Sequence, residues 1–322
     1  MTSAGFDLAI DGAPYDWPAA TDPGRTMVVG VDEDTGTPVW AGLSLTREGG
    51  SSDVVAVGAC SPEGYLDRRG AGAYVTAGAD ASTVMESLGS ATLAEGPMIE
   101  FDTTASGLVL SYSTLDNDDK TILSQYQTIS AMAGAPEWTV DVEWADAAQT
   151  AFKLVVRIRP AIGVVDANPE AVFDLPGCIA DYRYSESYEA GRGATVVIAS
   201  GDGEGDARFQ SDTQTSGLIA GGWPRWIYRY SPGSGITSKD QLNAHAQATL
   251  RLLEQGARAW TLTAVASRAP RLGETWALGH SVAVQIERSP RHPAGASLVA
   301  RAYGWDLDPA ADKLTPILLE EG

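Results

Sequence analysis

The sequence predicts a mainly β fold with an α/β insert: two small β-barrels plus an α/β domain. Three observations predict it. The 35 glycines and 17 prolines are scattered through the 322 residues, which fits short strands joined by turns better than a helical bundle or a low-complexity tail. Short runs near both ends of the chain alternate apolar and polar residues, the period of a half-buried strand. Helical periodicity with end signals is confined to the middle of the chain and to one later stretch.

Residues 1–72 read as paired strands of a first barrel: TMVVGV (26–31), a turn at Asp34 to Gly36, PVWAGLSLTR (38–47), a Gly49-Gly50 break, then DVVAVGAC. Such runs separated by turn residues make an antiparallel meander. Residues 73–165 read as the α/β insert. Thr83-x-x-Glu86 matches a capping box for a short helix. Asp118 or Asp119 opens a longer one that Gly134 closes, with Ile122, Tyr126, Ile129 and Ala133 as its buried stripe. Strands PMIEFDT, GLVLSYS, PEWTVDVEW and AFKLVVRIR flank these helices.

Residues 166–322 return to β structure and form the second barrel region: IADYRYSESY, ATVVIAS, a hairpin loop at GDGEGD, and RWIYRY at 225–230. One helix interrupts it at about 238–255. Ser238-x-x-Gln241 is its capping box, Leu242, Ala246, Leu250 and Leu253 its stripe, and Gly256 its stop. AWTLTAVAS, TWALGHSVAVQIE and ASLVARAYGW follow as strands. No repeat of fixed period is present.

Forty-two acidic against 22 basic residues give a net charge of −20, a field that repels phosphates and excludes ordinary nucleic-acid binding. The start MTSAGFDLAIDG has neither the basic region nor the apolar core of a secretion signal, and no run approaches a membrane span. The expectation is a chain that folds in a cytoplasm without a membrane anchor. Cys60 and Cys178 are far apart, with no CxxC, and read as two buried free thiols.

In PEWTVDVEW, Trp138, Val140, Val142 and Trp144 point one way and Thr139, Asp141 and Glu143 the other. Asp141 and Glu143 have Cα atoms about 7 Å apart, near the carboxyl separation of an inverting glycosidase. A glycosidase acid also needs its pKa raised by an apolar or like-charged pocket. The neighbours on this face are Thr139 and solvent-facing positions, so an acidic, solvated strand face is the expectation. The acids Asp202, Glu204 and Asp206 alternate as in a calcium loop. Ala207 and Thr213 stand where that loop needs glycine and glutamate, so a glycine-rich turn is expected.

His245, His280 and His292 lack metal-ligand spacing, and no GxSxG, GxxxxGK[ST] or strand-borne GxGxxG occurs. No catalytic residue, metal or cofactor is therefore expected. Trp226, Tyr228 and Tyr230 share one strand face, with Arg225, Ile227 and Arg229 on the other. Core packing, sugar stacking and a protein interface all remain open for these aromatics.

Val39-Trp40-Ala41-Gly42, followed after a strand by Glu63-Gly64-Tyr65-Leu66-Asp67-Arg68-Arg69, resembles the opening of a family of minor tail proteins in long-tailed phages of actinobacteria. Further elements recur in order: the helix ending at Gly134 and leading into Glu137-Trp138-Thr139, the Ala194 to Gly203 strand and turn, and the Leu242 to Leu253 helix. The resemblance thus spans nearly the whole chain.

It implies a hub of the tail tip or baseplate in the virion, made in the host cytoplasm, with two tube-type β-barrels per chain. It further implies a homotrimer whose six barrels continue the hexameric tail tube around the DNA channel. The implied partners are the distal tail protein, the tape measure protein and a central fibre or spike. Genomic DNA would pass an acidic channel of formal charge three times −20, or −60, without specific binding. Hub barrels often carry Pro-Gly-Asp before a strand; here the stretch is Leu272-Gly273-Glu274. Many relatives continue into a peptidase or muramidase, whereas this sequence reaches Gly322 soon after its last strand, so lytic activity is expected on another polypeptide. Two rival readings remain: a cell-wall or glycan hydrolase using Asp141 and Glu143, and a glycan-binding adhesin using Trp223, Trp226 and Tyr228.

Overall fold

The alternating runs of the first sixty residues build one antiparallel sheet. The computed structural model describes residues 2–90, 93, 95–132, 134–201, 208–232 and 239–319. It divides into two units, Met1–Asp166 with Arg271–His280, and Ala167–Pro270 with Ser281–Gly322.

In the first unit, β1 (Ser3–Ala9) leads through a short helix, α1 (Trp17–Ala20), to β2 (Met27–Val31), β3 (Pro38–Glu48) and β4 (Val54–Cys60). They pair antiparallel in the order β1-β4-β3-β2. The β2–β3 turn is fixed locally: the Asp32 carboxylate accepts the amides of Asp34 (3.0 Å) and Thr35 (3.1 Å), and Gly36 takes φ 71°. A side chain that satisfies turn amides is what makes Asp a turn residue.

The α/β portion follows: α2 (Glu63–Leu66), β5 (Tyr74–Asp80), α3 (Ala81–Gly89), β6 (Ile99–Thr103), β7 (Val109–Thr114), α4 (Ile122–Ser130), β8 (Glu137–Trp144) and β9 (Phe152–Arg159). β5 pairs with β7, while β6, β9 and β8 make a sheet with β9 in the middle, parallel to β6 and antiparallel to β8. Val84, Met85 and Leu88 of α3 meet Ile122, Tyr126 and Ile129 of α4 over Leu154, Val156 and Ile158 of β9. Met27, Val29 and Ala41 of the first sheet belong to this same core, so residues 1–72 and 73–165 share one apolar interior. Tyr126, fully buried, satisfies its hydroxyl by donating to the Met85 carbonyl oxygen at 2.7 Å.

Both helix starts differ from the sequence expectation. The cap of α3 is Asp80, whose carboxylate accepts the Ser82 amide at 2.9 Å and also those of Ser106 and Gly107. One carboxylate thus serves a helix end and a distant loop, and Thr83-x-x-Glu86 lies inside the helix. For α4 the cap is Thr121, accepting the Ser124 amide at 3.1 Å. Asp116–Asp118 form a 3-10 turn instead, and Asp119 is left-handed at φ 52°, which ends that turn before α4 begins. α4 itself stops at Ser130, ahead of Gly134; Ala133 lies outside the described residues.

The second unit contains β10 (Val172–Leu175), β11 (Ile179–Ser187), β12 (Val196–Ala199), β13 (Gln214–Thr215), β14 (Ile227–Tyr230), α5 (Lys239–Leu253), β15 (Ala257–Val265), β16 (Ser281–Ile286), β17 (Ala296–Asp308) and β18 (Lys313–Leu319). Six of the strands form a sheet in the order β10-β16-β17-β18-β15-β11, with β10 parallel to β16 and the other pairs antiparallel. A second sheet, β13-β12-β14, carries α5: Ala194, Val197 and Ala199 pack on Leu242, Ala246 and Leu250. β14 runs parallel to β12, so these two strands are not hairpin partners. The GDGEGD loop beyond Gly201, and the Ser238 position of the capping box, lie outside the described residues.

The fold is mainly β with few helices, and its two larger sheets are curled half-barrels, as the sequence leads one to expect. One predicted strand is shorter than expected. In TWALGHSVAVQIE only Ser281–Ile286 is extended, because Gly279, at φ 81°, turns the chain just before it.

Candidate functional site

The acidic pair of β8 is answered by the strand beside it. Thr139 lies opposite Arg157 of β9, Glu143 opposite Lys153, and on the other flank Asp102 of β6 lies opposite Arg157. Arg157 places Nε 2.6 Å from an Asp141 carboxylate oxygen, and its two terminal nitrogens bond Glu143 and Asp102. Arg159 bonds Asp102 as well. Lys153 sits 2.6 Å from Glu100 and 3.9 Å from Glu143, and Glu100 holds its amine above the ordinary lysine range. Four carboxylates on the outer strands thus face three cations on the middle one.

This corrects the expectation that Asp141 and Glu143 have only Thr139 and solvent-facing positions as neighbours. Desolvation dominates and leaves the Asp141 carboxyl above its ordinary range, although Arg157 and the Thr139 hydroxyl, 3.3 Å away, pull it down. A glycosidase pair needs one carboxyl free to donate and the other free to attack or activate water. Here one guanidinium holds both, an ion-pair ladder. The sequence signal was present in AFKLVVRIR, where Lys153 and Arg157 recur at an even spacing and so share a strand face.

A second constellation joins the β2–β3 turn to residues 271–276. Arg271 grips both oxygens of Asp32 at 2.7 Å and reaches Asp34 at 2.6 Å. The guanidinium holds the Asp32 carboxyl at about 2, well below its ordinary 3.8. Gly273 has φ 84°, and a side chain there would press on Val39 at 2.9 Å. Its amide donates to the Trp276 carbonyl oxygen at 2.8 Å, and Trp276 is fully buried. Gly42 is equally constrained, because the Trp40 ring folds back to within 2.1 Å of where its Cβ would be. Trp-x-Gly in this stretch is therefore a packing requirement.

The three aromatics of the adhesin reading are not brought together. Tyr228 stacks on Tyr230 (5.5 Å, 18°) and packs against the α5 core. Trp223 and Trp226 flank Tyr188 instead, at 5.5 and 6.4 Å, and are 42% and 51% exposed. Tyr188 carries no motif, so sequence reasoning had nothing by which to find it.

Cys60 and Cys178 are both free and buried, and burial raises both thiols. His292 bonds the Tyr182 hydroxyl at 2.7 Å through Nδ1 and stacks on Trp260 at 5.2 Å. Burial lowers the His280 imidazole, and His245 is exposed on α5. Among the described residues no three His, Cys, Asp or Glu side chains converge as metal ligands. Each larger sheet ends in open strands, β1 and β2 in one and β10 and β11 in the other. Open edges are templates for pairing with another chain unless they are covered.

No family model and no curated protein matches the chain. Solved structures do. The 43 kDa tail protein of prophage MuSo2 from Shewanella oneidensis matches with a TM-score of 0.63 at 10% identity, over 99% of this chain and 89% of that one. A tail protein from Neisseria meningitidis MC58 matches at 0.54 and 14% identity, over 89% and 81%. Prophage tail protein gp18 from Listeria monocytogenes matches at 0.50 and 10% identity, over 99% and 85%. The chain has the fold of these phage tail proteins.

Proposed function

We propose that this chain is a structural hub of a phage tail tip, of the kind found in long-tailed actinobacteriophages, in which three copies close a ring around the DNA channel. One chain contributes two curled half-barrel sheets, so three supply six, the number that matches a hexameric tube. That correspondence, in a chain with the fold of phage tail proteins, carries the reading. In it, residues 1–72 give the first barrel, 73–165 the insert and 166–322 the second barrel. The open edges β1, β2, β10 and β11 are covered by neighbouring chains, which also keeps them from aggregating.

The ring joins the distal tail protein and tape measure protein on one side to a central fibre or spike on the other. Its formal charge of −60 lets DNA pass by repelling phosphates. No reaction is assigned to it, and Asp141 and Glu143 act in the ion-pair ladder. Sedimentation at micromolar concentration tests the assembly: a ring runs at three times 33.7 kDa, 101 kDa. A stable monomer of 33.7 kDa would overturn the reading.

A further inference from the structure

Charge is distributed unevenly along this acidic chain. Residues 208–258 hold six of the 22 Lys and Arg but only three of the 42 Asp and Glu, a net of +3; the remainder holds 16 bases against 39 acids, a net of −23. The basic segment contains β13, β14 and α5 of the small sheet. Within it, residues 221–227 and Arg229 are exposed, a ribbon reading Gly-Gly-Trp-Pro-Arg-Trp-Ile. Trp223, Trp226 and Ile227 are 42%, 51% and 52% exposed. Arg225 and Arg229 have no carboxylate partner among the described residues.

This ribbon is held rigidly although it is exposed. The hydroxyl of Thr195, itself fully buried, donates to the Pro224 carbonyl oxygen at 2.9 Å and accepts the Trp226 amide at 2.8 Å. The Trp223 amide donates to the Leu218 carbonyl oxygen at 3.2 Å, on a 3-10 turn capped by Ser216. Behind the indoles, the Tyr188 ring lies flat on Gly193, where a Cβ would come within 2.5 Å of it. β14 is an edge strand of its sheet, with β12 alone beside it among the described residues. Exposed Trp and Arg on a pinned backbone are the composition and preorganisation of an interface hot spot.

We infer that this ribbon is a docking surface for a second copy of the same chain, seating Trp223 and Trp226 against an acidic face outside residues 208–258. The inference rests on the trimeric reading and identifies one of its contacts. A closed ring of three joins two different patches of each chain, whereas a two-fold dimer would set identical patches face to face. Two ribbons face to face would bring arginines against arginines. A ribbon against the acidic remainder of the next copy pairs them, and the heterologous contact that results is the one a ring needs.

The test compares sedimentation of the full chain with that of Trp226→Ser and of the double variant Arg225→Glu, Arg229→Glu, at low and high salt. All three substituted side chains are exposed, so circular dichroism should match the parent; Trp223→Ser replaces any variant that fails this check. Each variant should weaken association at least about thirtyfold, the effect of losing a hot spot, and the charge reversal should lose the most at low salt. In parallel, p-benzoylphenylalanine in place of Trp226 should give a crosslinked species of twice the chain's mass, joined at peptides outside 208–258. A trimeric parent with variants that assemble as tightly overturns this inference and leaves the hub reading standing. Crosslinking only to other molecules does the same, and a monomeric parent overturns both.

Discussion

Arg271 holds Asp32 across a sequence separation of 239 residues, with Nε and Nη2 each 2.7 Å from a carboxylate oxygen. The contact returns residues 271–280 to the first unit after the chain has built most of the second. Its geometry is the two-bond fork that guanidinium and carboxylate planes favour, and the same carboxylate already caps the β2–β3 turn. Asp32 therefore couples a local turn to a distant segment.

The pair should show itself in the acid limb of stability. Asp32 has a folded pKa of about 2 against an ordinary 3.8, so its contribution is complete above the higher value and is lost as pH falls from there towards the lower. Arg271→Ala should lower the melting temperature at neutral pH. The gap to the parent should shrink as pH falls through that window, and Asp32→Asn should behave alike. Melting curves measured across the acid range check this; a gap independent of pH would mean that the ion pair contributes nothing.

Part of this architecture could be read from the sequence because its signals are local. EWTVDVEW alternates without interruption, and β8 spans Glu137–Trp144. The stripe Leu242, Ala246 and Leu250 is buried on α5. What could not be read depends on which strands become neighbours. Nothing in β8 says that β9 lies beside it, or that β6 completes the sheet from the other side, so Asp141 and Glu143 looked unpartnered. The start of α4 was missed for a related reason: three acids before the helix offer good caps, but Asp116–Asp118 close their own turn and leave the role to Thr121. The position of Trp276 depends on a segment that leaves one unit and returns to another, which no periodicity records.

Arg157 should be the most sensitive position of the charge ladder. It bonds Asp141, Glu143 and Asp102 at once, and its side chain is 25% exposed. Removing it leaves four carboxylates with two cations in a half-buried face, an imbalance costing roughly 1–3 kcal/mol, less than for a fully buried pair. Arg157→Ala should lower the urea midpoint accordingly. Arg157→Lys should recover only part, since one ammonium cannot span three acceptors in a plane. Asp141→Asn or Glu143→Gln should cost less than the arginine, because each removes a single arm; equal losses in all four variants would mean that the ladder does not act as a unit.

Thr195 should govern the exposed tryptophans without touching solvent. Its hydroxyl bridges the Pro224 carbonyl and the Trp226 amide from a side chain that is itself fully buried. Thr195→Val keeps the shape but leaves the part-buried Pro224 carbonyl and Trp226 amide without this partner, a loss of about 0.5–1.5 kcal/mol. Because both groups belong to the ribbon, the loss should appear as local loosening. Hydrogen exchange at the Trp226 amide should quicken while the amides of β16 and β17 keep their protection. If a rigid ribbon is what makes assembly favourable, the same variant should also weaken self-association with every exposed side chain intact. Unchanged exchange at Trp226, or an association as tight as the parent's, would separate the hydroxyl bridge from any part in docking.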